Sequence, residues 1–188
     1  MRFVASELER IDQPGSRDRF NGRLDPDQLG VLGYSFGGNV GAQGCREDRR
    51  FKAGIDMGGS MFGEVAEAGV PRPFLFMDDE TPRPLADELT QSNTQKRLYA
   101  QLVERDYRLE ASSLGKFGGY QIAIAGTEHG NYTDQPTDLS LSDYLSNLGR
   151  IKPARRFLDN QRICGRFFRS ISEESSPSPA GGSFICLS

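Results

Sequence analysis

The sequence GYSFG at residues 33–37 constrains the fold of this chain more than any other feature. It follows an apolar run at residues 29–34 and opens a segment rich in glycine and alanine. The positions two before and two after the serine are glycines, which have no side chain that would collide in a sharp strand-to-helix turn. The pattern predicts a nucleophile elbow, with Ser35 between a buried strand and a closely packed helix.

Four short apolar segments are typical of buried strands, at residues 29–34, 51–57, 74–77 and 120–125. Segments with helical periodicity lie between and around them. Alternating strands and helices predict an α/β fold, and the elbow makes it an α/β-hydrolase whose mostly parallel sheet is flanked by helices.

The predicted helices cover residues 4–11, the second half of 85–107, 138–148 and 153–171. We therefore expect residues 1–171 to form one partial α/β-hydrolase catalytic domain. Residues 172–188 are rich in serine, proline and glycine, which predicts a disordered tail.

The chain has a single histidine, His129, which follows the last predicted strand. A serine hydroxyl is a weak nucleophile and needs a general base, and α/β-hydrolases carry the serine before the histidine in sequence. The carboxyl ends of parallel strands are also where such sheets keep their sites. We therefore predict Ser35 as the nucleophile and His129 as its base.

A catalytic carboxylate should lie between the serine and the histidine in sequence. Asp56 ends the strand after the elbow helix, whereas Asp78, Asp79 and Glu80 follow the next strand. The spacing alone leaves the choice among these residues open.

Composition excludes several other classes of function. The net charge is −3, and no dense basic patch is present, so we expect no nucleic-acid partner. The apolar runs are strand-sized, so no transmembrane segment is expected, and no signal peptide is visible after Met1, which leaves a cytoplasmic or a secreted location open. One histidine and three dispersed cysteines predict neither a metal site nor any cofactor.

Four ordered segments of the chain resemble the platelet-activating factor acetylhydrolase family, most closely its microbial and fungal members. They are LGVLGYSFGG at 29–38, FKAGIDMGGSMFG at 51–63, PRPFLFM at 71–77 and GTEHGNYTD at 126–134. The resemblance covers most of residues 20–170. It implies a calcium-independent serine esterase that removes short or oxidised acyl chains from the sn-2 position of phospholipids.

The resemblance assigns the nucleophile to Ser35, the base to His129 and one oxyanion-hole N–H to Phe36. The family's catalytic aspartate falls on Gly58, and Asp56 lies two residues earlier. Residues two apart in a strand are roughly 6.6–7 Å apart, so Asp56 replaces the missing acid only if the strand end shifts. Otherwise Asp78 or Asp79 reaches the imidazole, or the site works as a weakened dyad.

The resemblance also implies several strands before the elbow strand, one of whose loops gives the second oxyanion donor. Their absence here predicts an unpaired edge beside residues 29–34 and self-association through that edge. Beside the enzyme, two alternatives stay open: a catalytically inactive truncated relative that binds lipid or a partner protein, and a dimeric scaffold without chemistry. We expect Phe36, Met61 and Phe62 to line an acyl site.

Overall fold

The structure is a computed structural model that describes residues 1–133, 153–175 and 185–187. The helices are α1 (Arg2–Ile11), α2 (Phe36–Glu47), α3 (Glu64–Ala68), α4 (Thr94–Phe117) and α5 (Pro153–Ser175). The strands are β1 (Leu29–Tyr34), β2 (Phe51–Met57), β3 (Phe74–Asp78), β4 (Gly119–Ala123) and β5 (Ile185–Leu187). In the described part of the chain, 3-10 turns cover Pro26–Gln28 and His129–Tyr132.

Within the described residues, the five strands form one parallel sheet in the order β4-β3-β2-β1-β5. The first four strands lie side by side in sequence order, and α2, α3 and α4 connect them. The carboxyl ends of β1 to β4 therefore meet at one edge of the sheet. The predicted α/β class and its mostly parallel sheet are confirmed.

Each face of the sheet has its own apolar cluster. Side chains alternate along β3, so Phe74 and Phe76 pack on the face covered by α1 to α4, while Leu75 and Met77 pack on the other face. That second face is covered by α5, whose Phe167 and Phe168 are buried against it. Burial on both faces explains why the strands read as continuous apolar runs.

The helices agree with the periodicity in the sequence. The second half of residues 85–107 is helical as predicted, and α4 starts at Thr94 because the Asn93 side chain accepts a hydrogen bond from the N–H of Lys96 at 3.1 Å. The predicted helix at 138–148 lies outside the described residues. Among the described helices, none has the length and apolar character needed to cross a membrane.

The structure corrects the prediction of a disordered tail over residues 172–188 in two places. Helix α5 continues to Ser175, and Ile185–Leu187 forms β5, which pairs in parallel with Leu29–Val31 of β1. The predicted unpaired edge of β1 is therefore occupied along these three residues. The physical reason is that an open strand edge offers unpaired N–H and C=O groups, which the apolar end of the chain can satisfy.

Candidate active site

Ser35 lies in a sharp turn between β1 and α2, with φ of 54° and ψ of −124°. Among the described residues it is the only one other than glycine with a positive φ. The backbone is held in this strained conformation by two hydrogen bonds at 2.9 Å, from Ser35 N to Met57 O and from Gly38 N to Ser35 O. A Cβ at Gly33 would overlap the Gly37 carbonyl, which explains the glycine there. The elbow has the predicted form.

The imidazole of His129 lies beside the Ser35 hydroxyl. His129 Nε2 is 3.1 Å from Ser35 Oγ, within hydrogen-bonding distance. The ring also stacks at a tilt on Tyr34, with 4.9 Å between the ring centroids. In the tautomer that carries its proton on Nδ1, Nε2 accepts the hydroxyl hydrogen. The structure thus brings together the two residues that the sequence assigned as nucleophile and base.

The turn that carries His129 is anchored to the sheet. Buried Asn131 accepts a hydrogen bond from the N–H of Glu128 at 2.6 Å, and the hydroxyl of Tyr132 donates to the Asp78 carbonyl at 2.6 Å. The first bond closes the turn itself, and the second ties the loop after β4 to the end of β3, 54 residues away in sequence. Together they restrict the position of the ring relative to Ser35.

Asp56 does not contact His129, although the sequence made it a candidate for the catalytic acid. Its side chain is buried, 2% exposed, and its Oδ1 accepts a hydrogen bond from the N–H of Gly59 at 2.9 Å. The carboxylate lies beneath the elbow, where a Cβ at Gly38 would overlap it. After a register shift between Leu29 and Gly30, β1 and β2 pair regularly up to Tyr34 and Met57, so the end of β2 does not shift and Asp56 forms no hydrogen bond with the imidazole.

Asp78 and Asp79 line the same cavity as His129, but neither forms a hydrogen bond with its ring. The carboxylate of Asp78 accepts a hydrogen bond from Gln121 at 3.0 Å, and that of Asp79 accepts one from the N–H of Thr81 at 3.0 Å. Each carboxylate therefore has its own partner. In the described part of the chain, no carboxylate pairs with either ring nitrogen of His129.

Gly58 occupies the position from which a side chain would reach the second nitrogen of the imidazole. A Cβ built on Gly58 would stand 3.1 Å from Nδ1 of His129. The residue has φ of +65°, and its N–H donates to the Met77 carbonyl at 2.8 Å. The geometry agrees with the assignment of the missing family acid to this position.

A cavity of about 440 Å³ opens beside the Ser35–His129 pair. One wall is apolar and partly exposed, and it is formed by Phe36, Phe62, Tyr99, Leu102 and Val103. Two of the three residues expected at an acyl site, Phe36 and Phe62, thus line the cavity. The third, Met61, is 1% exposed and belongs to the apolar core, because its strand-end loop folds back onto α4.

A second part of the cavity lining is acidic and includes Asp106 and Glu110 of α4. Burial raises the pKa of Glu110 to about 10, and the nearby charges of Asp78 and Asp56 add to the shift. Burial likewise raises the pKa of Asp78 to about 6, against the lowering effect of the Gln121 hydrogen bond. Sequence reasoning missed this wall, although two acids four residues apart on one helix face were a usable signal.

The first backbone N–H groups of α2 lie directly after Ser35. Phe36 is the first residue of this helix, and the initial N–H groups of a helix have no acceptor within it. They also carry the positive end of the helix dipole. The arrangement is suited to negative charge that develops next to Ser35 Oγ, in line with the role expected of the Phe36 N–H.

The parallel sheet and the strand–serine turn–helix unit define the chain as an α/β-hydrolase fold. A structural comparison agrees: ferulic acid esterase from Streptomyces cinnamoneus superposes with a TM-score of 0.61 at 20% identity, over 96% of this chain and 49% of that protein. The family model described as platelet-activating factor acetylhydrolase, isoform II, matches residues 8–153. The chain belongs to this family.

Individual relatives support the family membership. The chain is similar to platelet-activating factor acetylhydrolase of Cavia porcellus, at 28% identity over 118 residues, which are 62% of this chain and 23% of that protein. It is also 36% identical over 59 residues to the same enzyme of Bos taurus, 30% of this chain and 13% of that protein. The matched region is thus less than a quarter of these relatives' length.

Proposed function

We propose that this chain is a serine ester hydrolase acting on short or oxidised acyl chains, with the sn-2 esters of phospholipids as its substrate class. The observation that carries the proposal is the 3.1 Å distance between His129 Nε2 and Ser35 Oγ at a strained elbow. Family membership supports the ester substrate. The limited volume of the cavity and its apolar wall favour a short acyl chain.

In the proposed reaction, His129 Nε2 takes the hydroxyl proton of Ser35 while Oγ attacks the ester carbonyl carbon. The N–H of Phe36 donates to the carbonyl oxygen as it becomes negative. The protonated imidazole then gives its proton to the departing alcohol oxygen, which leaves the acyl group on Ser35. Water, deprotonated by the same nitrogen, attacks the acyl group and releases the carboxylic acid.

We propose that the pair works as a dyad, since Asp56, Asp78 and Asp79 each have other hydrogen-bond partners. Removing the orienting aspartate of a serine protease lowers turnover by about 10⁴. We therefore expect slow hydrolysis rather than none. The second candidate function, an inactive relative that binds lipid or a partner protein, is favoured by the glycine that faces Nδ1.

A fluorophosphonate probe separates these two functions, because it reacts only with an activated serine. We expect intact mass to show one adduct on the wild-type chain and none on Ser35→Ala or His129→Ala. Asp56→Asn is the matched control: its carboxylate bonds Gly59 rather than His129, so the adduct should persist. A folded wild-type chain that gains no adduct would exclude the enzyme and leave the binding protein.

A further inference from the structure

The imidazole of His129 lies beside Ser35 without a carboxylate to hold it. In a triad, the aspartate orients the imidazole, selects its tautomer and stabilises the imidazolium. Among the residues that the structure describes, the nearby Asp78 and Asp79 accept hydrogen bonds from other donors. His129 is exposed, and rotation about the bond between an imidazole and its Cβ has only a broad preference. The ring therefore needs another contact to keep its orientation.

The ring of Tyr34 provides this contact. The ring centroids of Tyr34 and His129 are 4.9 Å apart, and the ring planes are tilted by 35°. At this distance the rings are too close to lie side by side, and the tilt is too small for an edge-to-face pair. The rings are therefore stacked with an offset, which is a favourable arrangement for two aromatic groups. Rotation of the imidazole away from its present plane would bring its atoms into the phenol ring.

Tyr34 is itself held in place by the sheet. It is the last residue of β1, pairs in register with Met57 of β2, and packs half-buried against the apolar cluster that includes Tyr132. Burial raises the pKa of the Tyr34 phenol, and the charge of Asp79 adds to the shift, so the ring is neutral at physiological pH. The face of such a ring carries partial negative charge and attracts a cation within about 6 Å of its centroid. The contact is therefore suited to an imidazolium on His129.

We propose that Tyr34 is a positioning residue that orients the imidazole of His129 toward Ser35 and stabilises its protonated form. The effect on catalysis rests on the proposed function, whereas the ring contact does not. The phenol ring thereby provides two of the three contributions of a triad aspartate, the orientation and the stabilisation of charge. A ring face does not distinguish the two neutral tautomers of an imidazole. The third contribution is therefore absent, and the rate stays below that of a triad.

The ring contact is tested by NMR on the full chain, because the single histidine gives one set of ring signals. At an alkaline pH, where imidazoles are neutral, we expect cross-relaxation between the ring protons of His129 and Tyr34 in the wild type. Tyr34→Leu removes the ring current and should shift the His129 signals, whereas Tyr34→Phe should keep them near their wild-type positions. Tyr120→Leu is the matched control and should leave them unshifted, since Tyr120 packs against Phe167 and is not among the described residues that line the cavity.

The effect on catalysis is tested by the fluorophosphonate labelling rate of Ser35 and by kcat and KM for 4-nitrophenyl acetate. The interaction of an aromatic pair corresponds to about threefold to tenfold in a rate. Tyr34→Leu should therefore lower kcat and the labelling rate by about this factor. KM should not change, because the stack acts on the transition state rather than on substrate binding. Tyr34→Phe should recover the rate, and circular dichroism confirms that both variants are folded.

The proposal is overturned if the wild type shows no cross-relaxation between the two rings, a measurement that needs no variant. It is also overturned if the His129 signals or the labelling rate are the same in folded Tyr34→Leu as in the wild type. A loss of rate that Tyr34→Phe does not recover, or that comes with a raised KM, would indicate a distorted elbow and would equally contradict it. Absence of labelling in the wild type would instead refute the proposed function, and the NMR comparison would then decide whether Tyr34 orients the imidazole.

Discussion

Replacing Gly58 by aspartate should convert the proposed Ser35–His129 dyad into a triad. The new Cβ would stand 3.1 Å from Nδ1 of His129, so the carboxylate one bond further on reaches the Nδ1–H. The positive φ of +65° is tolerated better by aspartate than by most residues, at a cost of about 1 kcal/mol in stability. The fold should therefore survive the substitution.

The expected gain in kcat/KM is worked from the same geometry. A correctly placed aspartate is worth about 10⁴ in turnover in serine proteases. A Cβ at 3.1 Å is closer than an ordinary contact, so the imidazole must move by a few tenths of an ångström. Because a misplacement of a full ~1 Å costs about 10²-fold and the shift here is smaller, we expect a net gain of at least about 10²-fold.

The assay is hydrolysis of 4-nitrophenyl acetate together with the fluorophosphonate labelling rate, with folding monitored by circular dichroism. Gly58→Asn is the matched control, since asparagine has the same shape and tolerates the same φ. Its amide favours the wrong imidazole tautomer, so it should give no comparable gain. A folded Gly58→Asp variant no faster than the wild type, or as fast as Gly58→Asn, would refute the reasoning.

Three further predictions concern stability and association. Burial raises the pKa of Asp56 from 3.8 to about 7, so the folded state binds the proton of this carboxyl group more tightly than the unfolded state does. The free energy of unfolding should therefore fall by about 2 to 4 kcal/mol as the pH rises from about 4 to 7. Urea unfolding at several pH values measures this fall, and Asp56→Asn should reduce it; an unchanged pH dependence in that variant would contradict the assignment. Gly38→Ala should destabilise the fold by about 3 kcal/mol because its Cβ overlaps the Asp56 carboxylate, whereas Gly37→Ala, with no atom within 4 Å, should change stability by less than about 1 kcal/mol. Deleting residues 176–188 removes β5 and exposes the edge of β1, so light scattering should show more self-association than in the full chain. A strictly monomeric deletion variant would contradict this prediction.

Local rules explain which features were readable from the sequence. The elbow at residues 33–37 is defined by steric demands within five residues. Strands β1 to β3 were recognised as short apolar runs, which are typical of strands in a sheet that is buried on both faces. Ser35 and His129 followed from the chemistry of the hydroxyl and from the rule that sites lie at strand ends. The structure brought these two residues together at 3.1 Å.

The choice among carboxylates was not readable from the sequence, because a hydrogen bond depends on ångström-scale positions set by several elements at once. Asp56 accepts a hydrogen bond from the N–H of Gly59 just beyond β2, and Asp78 accepts one from Gln121 on the neighbouring strand β4. Neither partner is marked by any spacing in the sequence. The acids of α4 show a regular spacing on one helix face, but only the packing of α4 brings them to the cavity.

The sequence by itself determined the α/β class, the elbow, the candidate nucleophile and base, and the glycine at position 58. The tertiary structure decided that this glycine faces Nδ1 of His129, that the nearby acids bond elsewhere, and that Ile185–Leu187 pairs with β1. The division has one physical cause. Strand and turn preferences act over a few residues, whereas the contacts of a side chain and the pairing of an edge depend on segments more than 40 residues apart in the chain.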